Sequence, residues 1–221
     1  QSGVTRLRVG FTPILASNVV PELLEEFHKR LPMVQVDLVD AGPAELLEQV
    51  EADKLDAAFG AFFQKRSGLA QAQIAPATLM LVYSDQFSDI GERIGWRQVF
   101  DYPLITLTER SPIAQLVQAM ARQEGAEIRS AMVVNQLDTA MGMVEKGFGV
   151  AVFPSFAQAA WRRYAVRASA IYPAVGVDSF GTMKAGKEAG PAVEAVTQLL
   201  MQRLHHPQPA PDITPRSRRS A

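Results

Sequence analysis

The sequence predicts an α/β fold built from two Rossmann-like lobes. Three observations predict it. Short apolar strands alternate with amphipathic helices along most of the 221 residues. Two strand-to-helix turns, at residues 7–17 and 104–112, read alike although they lie far apart in the chain. Between the two blocks runs an extended stretch, residues 70–84, interrupted by Pro76.

The elements follow in order. Leu7 to Phe11 is a short apolar run, the pattern of a strand buried on both faces. Val20, Leu23, Leu24 and Phe27 then fall at i, i+3, i+4 and i+7, one face of a helix. Pro21 sits near its start, where proline is tolerated or kinks the helix, and Leu31-Pro32 ends it. Val34, Val36 and Leu38 alternate with polar neighbours as in a half-buried strand. Gly42-Pro43 turns the chain into a short helix carrying Leu46, Leu47 and Val50, and Asp56 to Gly60 is a compact apolar strand. The usual crossover rule makes this block right-handed. In the stretch that follows, Pro76 argues for a sheet edge or a crossing between lobes rather than a central strand.

The second block opens at Tyr102-Pro103-Leu104-Ile105. Ile113, Leu116, Val117 and Met120 repeat the helical spacing, with Ser111 as N-cap and Pro112 at the first helical position. Met132 to Val134 is a strand, and Leu137, Met141 and Val144 mark a helix face that Lys146-Gly147 stops. Val150 to Phe153 is a strand closed by Pro154, and weak alternation over 164–183 carries the chain back. Val193, Val196, Leu200 and Leu204 form a last amphipathic helix. The remainder, 205–221, is proline-rich, carries Arg216, Arg218 and Arg219, and has the composition of a disordered tail.

Composition narrows the chemistry. The chain is 48% hydrophobic and 20% charged, the balance of a soluble globular protein. A net charge of −1 supplies no general drive toward nucleic acid or anionic membrane. The absence of cysteine excludes disulfides, thiolate metal sites and a cysteine nucleophile. No apolar run approaches the roughly 20 residues that span a bilayer. No signal peptide is visible, and the abrupt start suits a fragment. His28, His205 and His206 lie away from strand ends, and neither G-x-S-x-G nor H-E-x-x-H occurs. Catalytic residues, metal sites and cofactors are therefore not expected. Gly181 to Lys187 matches G-x-x-x-x-G-K, but Glu188 stands where a phosphate loop needs Ser or Thr, so a loop before the last helix is the better reading.

The two similar turns are the candidate site. Ligands of open α/β sheets bind at the carboxyl ends of strands, and both turns sit there. Thr12, Ser17, Thr108 and Ser111 offer hydroxyls that serve either a ligand or the helix N-termini. Arg110 adds a guanidinium fork suited to a carboxylate, or else pairs on the surface. Pro13 and Ile14 make the first turn more apolar than the second. A further strand-to-helix turn at 135–139 brings Gln136 and Leu137 to the same end. Phe62 and Phe153, at the ends of apolar strands, are cleft walls or core.

These residues, in this order, resemble the effector-binding domain of the LysR-type transcriptional regulators. The likeness runs over about 6–204 and rests on Leu7-Arg8-Val9-Gly10-Phe11 and the Pro21-x-Leu23-Leu24-x-x-Phe27 helix with Leu31-Pro32-x-Val34. It continues through Leu46-Leu47 with Leu55 to Gly60, then Tyr102 to Ile105, then Val144-x-x-Gly147-x-Gly149-Val150-Ala151-x-x-Pro154. The resemblance implies a fold like the type 2 periplasmic binding proteins, two lobes joined by two crossing segments with a small molecule between them. The crossings then fall near 76–79 and 168–175. The first lobe comprises 1–77 and 172–204 and the second 78–171. It also implies a cytoplasmic, self-associating regulator that reaches DNA through an N-terminal helix-turn-helix outside this sequence. The effectors of such proteins are varied and often carboxylates, and effector binding is expected to close the lobes. A transporter's solute-binding protein shares the fold. An enzyme resembling prephenate dehydratase would call for a Thr-Arg-Phe triplet, where this chain has Thr108-Glu109-Arg110.

Overall fold

The computed structural model describes residues 5–205. Strand β1 (Thr5–Phe11) leads into a short helix α1 (Pro13–Asn18) and then α2 (Val20–Arg30). The two helices are one helical path broken at Val19. Pro21 has no N–H for the carbonyl of Ser17, one turn back, so the ladder cannot continue through it. Helix α2 buries Val20, Leu23 and Phe27, each worth about 1.5–3 kcal/mol of apolar burial. Next come β2 (Val34–Asp40), α3 (Pro43–Glu51) and β3 (Ala57–Gly60). β1 pairs in parallel with β2 on one side and β3 on the other, so each connection is a helical crossover.

Strand β4 (Leu69–Ala75) is the far edge of this sheet, whose order is β2-β1-β3-β11-β4 once the late strand β11 (Ser179–Lys184) inserts antiparallel. Past Pro76 the chain enters β5 (Leu79–Tyr83), which belongs to a second sheet together with β6 (Arg93–Gly95), β9 (Ala151–Pro154) and β10 (Arg167–Tyr172). Between β6 and β9 lie α4 (Trp96–Val99), β7 (Leu104–Leu107), α5 (Pro112–Gln123), β8 (Ser130–Val134) and α6 (Leu137–Glu145). β7 and β8 pair in parallel, and β7 joins β9's side of the second sheet through the bridge Leu104–Val150. A 3-10 turn (Ser155–Ala157), α7 (Gln158–Trp161) and, after β11, α8 (Pro191–His205) complete the chain.

Each lobe is a sheet with an apolar cluster on either face. In the first, α1, α2 and α8 cover one face around Leu15, Phe27, Phe59 and Val196, and α3 covers the other around Leu46, Leu47 and Phe62. In the second, α4 and α5 pack on one face around Trp96, Val117 and Val152, and α6 on the other around Met141 and Phe153.

Three expectations change. Ala168 is still inside β10, so the second crossing begins only at Pro173. The alternation in β2 slips. Val34 and Val36 pack toward the helices, but Leu38, next on that face, is 41% exposed and Val39 packs on the α3 side. Gly181 to Lys184 is strand rather than loop, and the lysines of the phosphate-loop look-alike are spent elsewhere, Lys184 on Asp53 and Lys187 on Asp53 and Asp56. Residues 206–221 of the segment read as a tail lie outside the described residues.

Candidate functional site

The first-lobe turn is held by its own strand ends. The Thr12 N–H donates to the Phe59 carbonyl at 3.0 Å, tying the end of β1 to β3. The Thr12 side chain then lies over Gly60, where an added Cβ would come within 2.3 Å of Thr12 Cγ2. Thr12 is the N-cap of α1 but makes no side-chain cap bond, so its hydroxyl is uncommitted among the described residues. Pro13 is exposed at the first helical position. Ser17 is not at the helix start as expected. It lies in the last turn of α1, and its Oγ donates to the Pro13 carbonyl at 3.0 Å. With six residues, α1 also has little macrodipole to offer an anion.

The second-lobe turn is better built for a polar ligand. The Thr108 N–H donates to the Val134 carbonyl at 3.2 Å, and the Ser111 N–H to the Thr108 carbonyl at 2.8 Å. Ser111 Oγ accepts the Ile113 N–H at 3.2 Å, so Ser111 caps α5 and keeps a hydroxyl proton to donate. Arg110 is exposed and forms no ion pair with any described residue; the surface pairing that competed with a ligand role is not made. Thr108 and Arg110 rim a concavity of about 700 Å³, within the usual size range of ligand pockets. It runs along the flank of α5 and the edge strand β8, past Thr106, Gln118, Ser130 and Asn135, with Val133 as an exposed apolar patch.

Comparison with known proteins decides the family. Residues 1–205 match the family described as the LysR substrate binding domain. The chain belongs to the LysR substrate binding domain family. The hydrogen peroxide-inducible genes activator of Dickeya chrysanthemi is 23% identical over 152 residues, 68% of this chain and 50% of that protein. The chain thus spans about half the length of the curated relatives it matches. The effector binding domain of QuiR in complex with shikimate superposes with a TM-score of 0.76 at 14% identity, covering 92% of this chain and 98% of that one. Full-length CbnR complexed with its target DNA superposes with a TM-score of 0.76 at 21% identity, covering 91% of this chain and 71% of that one. Both likenesses establish the two-lobed, periplasmic-binding-protein-like fold.

Within this LysR substrate binding domain, the remaining candidate residues divide. Ile14 is half-buried and packs against both apolar clusters of the second lobe, so the first turn does face that lobe. Gln136 is exposed beside Asn135 at the end of β8 and makes no cap bond. Phe62 and Phe153 are core: they are 3% and 1% exposed, Phe62 under α3 and Phe153 under α6. Leu137, also buried, packs in the same cluster as Phe153. The concavity beside α5 is lined by second-lobe residues, without Thr12, Pro13, Ile14 or Ser17. Sequence reasoning missed Thr106 and Gln118. Their signals are faint: a hydroxyl two residues before Thr108 on one strand, and a glutamine one helical turn beyond Ala114 on α5.

At the end of β2, Asp40 has its carboxyl raised above the ordinary value by burial alone. No metal-binding cluster of three or more His, Asp or Glu side chains occurs among the described residues.

Proposed function

We propose that this domain senses a small, carboxylate-bearing metabolite between its lobes and controls the DNA binding of a longer transcriptional regulator through an N-terminal helix-turn-helix. The observation that carries this reading is the second-lobe turn. An unpaired Arg110, an uncommitted Thr108 and the cap Ser111 stand together at the carboxyl end of β7, beside a concavity large enough for a metabolite. The first-lobe turn, with the free Thr12 hydroxyl and with Ile14 packed against the second lobe, stands as the first-lobe side of the cleft in this reading, although it does not line the concavity beside α5. Family membership supports the role, as do one related domain in complex with shikimate and one full-length relative in complex with DNA.

Sensing, not turnover, is the reading because the relatives are regulators and the site holds no nucleophile–base pair. The chain has no cysteine, so its residues offer no thiol to a stimulus. We place the protein in the cytoplasm and expect self-association, with the edge strand β2 and its exposed Leu38 as a contact surface.

A thermal-shift screen of small carboxylates tests the reading. A carboxylate bound at a hundred times its Kd adds about 2.7 kcal/mol of apparent stability by mass action. At least one compound should raise the melting temperature, and Arg110→Ala should abolish the rise. If no carboxylate stabilises the protein while an uncharged or cationic compound does, the carboxylate assignment is wrong.

A further inference from the structure

We propose that the two lobes are latched by exchanging one apolar side chain in each direction, Ile14 into the second lobe and Phe156 into the first, so that the cleft is held at one opening before any effector arrives. The inference needs no effector and stands apart from the identity of the ligand.

The crossing segments alone do not fix the angle between the lobes. They pair with each other as a two-stranded ribbon: the Leu79 N–H donates to the Val175 carbonyl at 3.1 Å, the Val177 N–H to the Ala77 carbonyl at 2.8 Å, and Thr78 bridges Gly176. An isolated ribbon of two strands is only marginally stable and bends readily. What braces it lies alongside. The Ser155 N–H donates to the Thr78 carbonyl at 2.8 Å, and Ser155 Oγ accepts the Thr78 N–H at 3.4 Å. The 3-10 turn Ser155–Ala157 is therefore hung on the ribbon, next to α1.

Adjacent side chains then part company at two places. Ala157 is fully buried in the α6 cluster of its own lobe, whereas its neighbour Phe156 packs against the α1–α2–α8 cluster of the other. Leu15 is fully buried in the first-lobe cluster, whereas its neighbour Ile14 packs against both second-lobe clusters. Ala61, at the end of β3, adds a third crossing contact by joining the second-lobe cluster with Val177. Swinging the lobes apart would return Ile14 and Phe156 to water together, because α1 and the 3-10 turn that carry them lie against each other and each packs into the other lobe. Apolar burial opposes that movement. An effector would then bind a gap of preset width, contrary to the expectation that it closes the lobes.

The cysteine-free chain allows the test directly. Lys29→Cys on α2 and Arg122→Cys on α5, both exposed, carry spin labels on opposite lobes, and pulsed electron paramagnetic resonance reads the distance distribution without ligand. The labelled parent should give one narrow distribution. Ile14→Ala and Phe156→Ala should each broaden it about twofold or shift it, as expected when one packed arrangement gives way to several. Leu15→Ala, which removes a side chain from one lobe only, should lower the melting temperature and leave the distribution narrow. Should circular dichroism show an alanine variant unfolded, Ile14→Val and Phe156→Leu are read by the same criterion. A broad or two-peaked parent, or distributions in the Ile14 and Phe156 variants as narrow as the parent's, would overturn the latch.

Discussion

Arg8 and Asp56 show how strongly one pair can be built into this fold. Arg8 Nη2 donates to Asp56 Oδ1 at 2.6 Å, and the Arg8 backbone N–H donates to Oδ2 at 2.9 Å, so the pair joins β1 to the entry of β3. Burial works against the Asp56 carboxylate, but the hydrogen bonds and charge of Arg8, with help from Lys187, outweigh it and hold the group below its ordinary value. A lowered acid stabilises the fold fully above its unfolded pKa, about 3.9, and loses that contribution as pH falls through the lower folded value. Asp56→Asn should cost about 1.5–3 kcal/mol at neutral pH, read by urea denaturation, because charged hydrogen bonds are lost and Arg8 is left short of acceptors. Below about pH 4 the melting temperature of the parent should fall more steeply than that of the variant.

At the same scale, some residues resist reading from sequence. Phe62 and Phe153 follow apolar strands, and an apolar run carries no record of which sheet face a side chain takes. The helices of each lobe cover both faces, so these rings are core. Ser17 was misplaced for a different reason. The end of α1 is set by the missing N–H of Pro21, a backbone effect four residues downstream.

At the scale of elements, legibility was high where the period was strong. The helix faces at 20–27, 113–120 and 137–144 and the strands flanking them all appear where their apolar spacing put them. Edge strand β2 was less legible, because the apolar cluster on its helix side reaches Val34 and Val36 but not Leu38, which is left exposed. The Ser111 cap and the Gly147 stop were legible too. Ser111→Ala should destabilise the protein by about 1 kcal/mol through loss of the α5 cap, measured by thermal denaturation. Gly147 and Gly149 serve different purposes. Gly147 adopts φ +77, the left-handed conformation that ends α6, whereas Gly149 lies so close to Pro103 that an added Cβ would meet its carbonyl oxygen at 2.4 Å. Gly149→Ala must push apart the contact through which Val150 pairs with the start of β7, and should cost about 1–3 kcal/mol in the same assay.

At the scale of the whole molecule, the two-block order of the sequence marks the two sheets, and Pro76 marks where the chain leaves the first. What periodicity could not show is how the lobes meet. Ile14 and Phe156 stand in apolar stretches beside Leu15 and Ala157, which pack into their own lobes, and only the tertiary arrangement turns Ile14 and Phe156 toward the other lobe. The concavity beside α5 was hidden for a similar reason. Its lining comes from the successive elements β7, α5 and β8, and no apolar period marks which of their side chains turn to one flank.

On this reading one small molecule is held by turns from both lobes. Amide NMR of the isotopically labelled domain, titrated with whichever carboxylate stabilises it in the thermal screen, distinguishes a two-lobe site from any other. The predicted result is a saturable set of shifts centred on residues 12–17 and 108–111 together, with the Thr108 and Arg110 amides among the most affected. Shifts confined to one lobe, or centred on residues away from both turns, would contradict it.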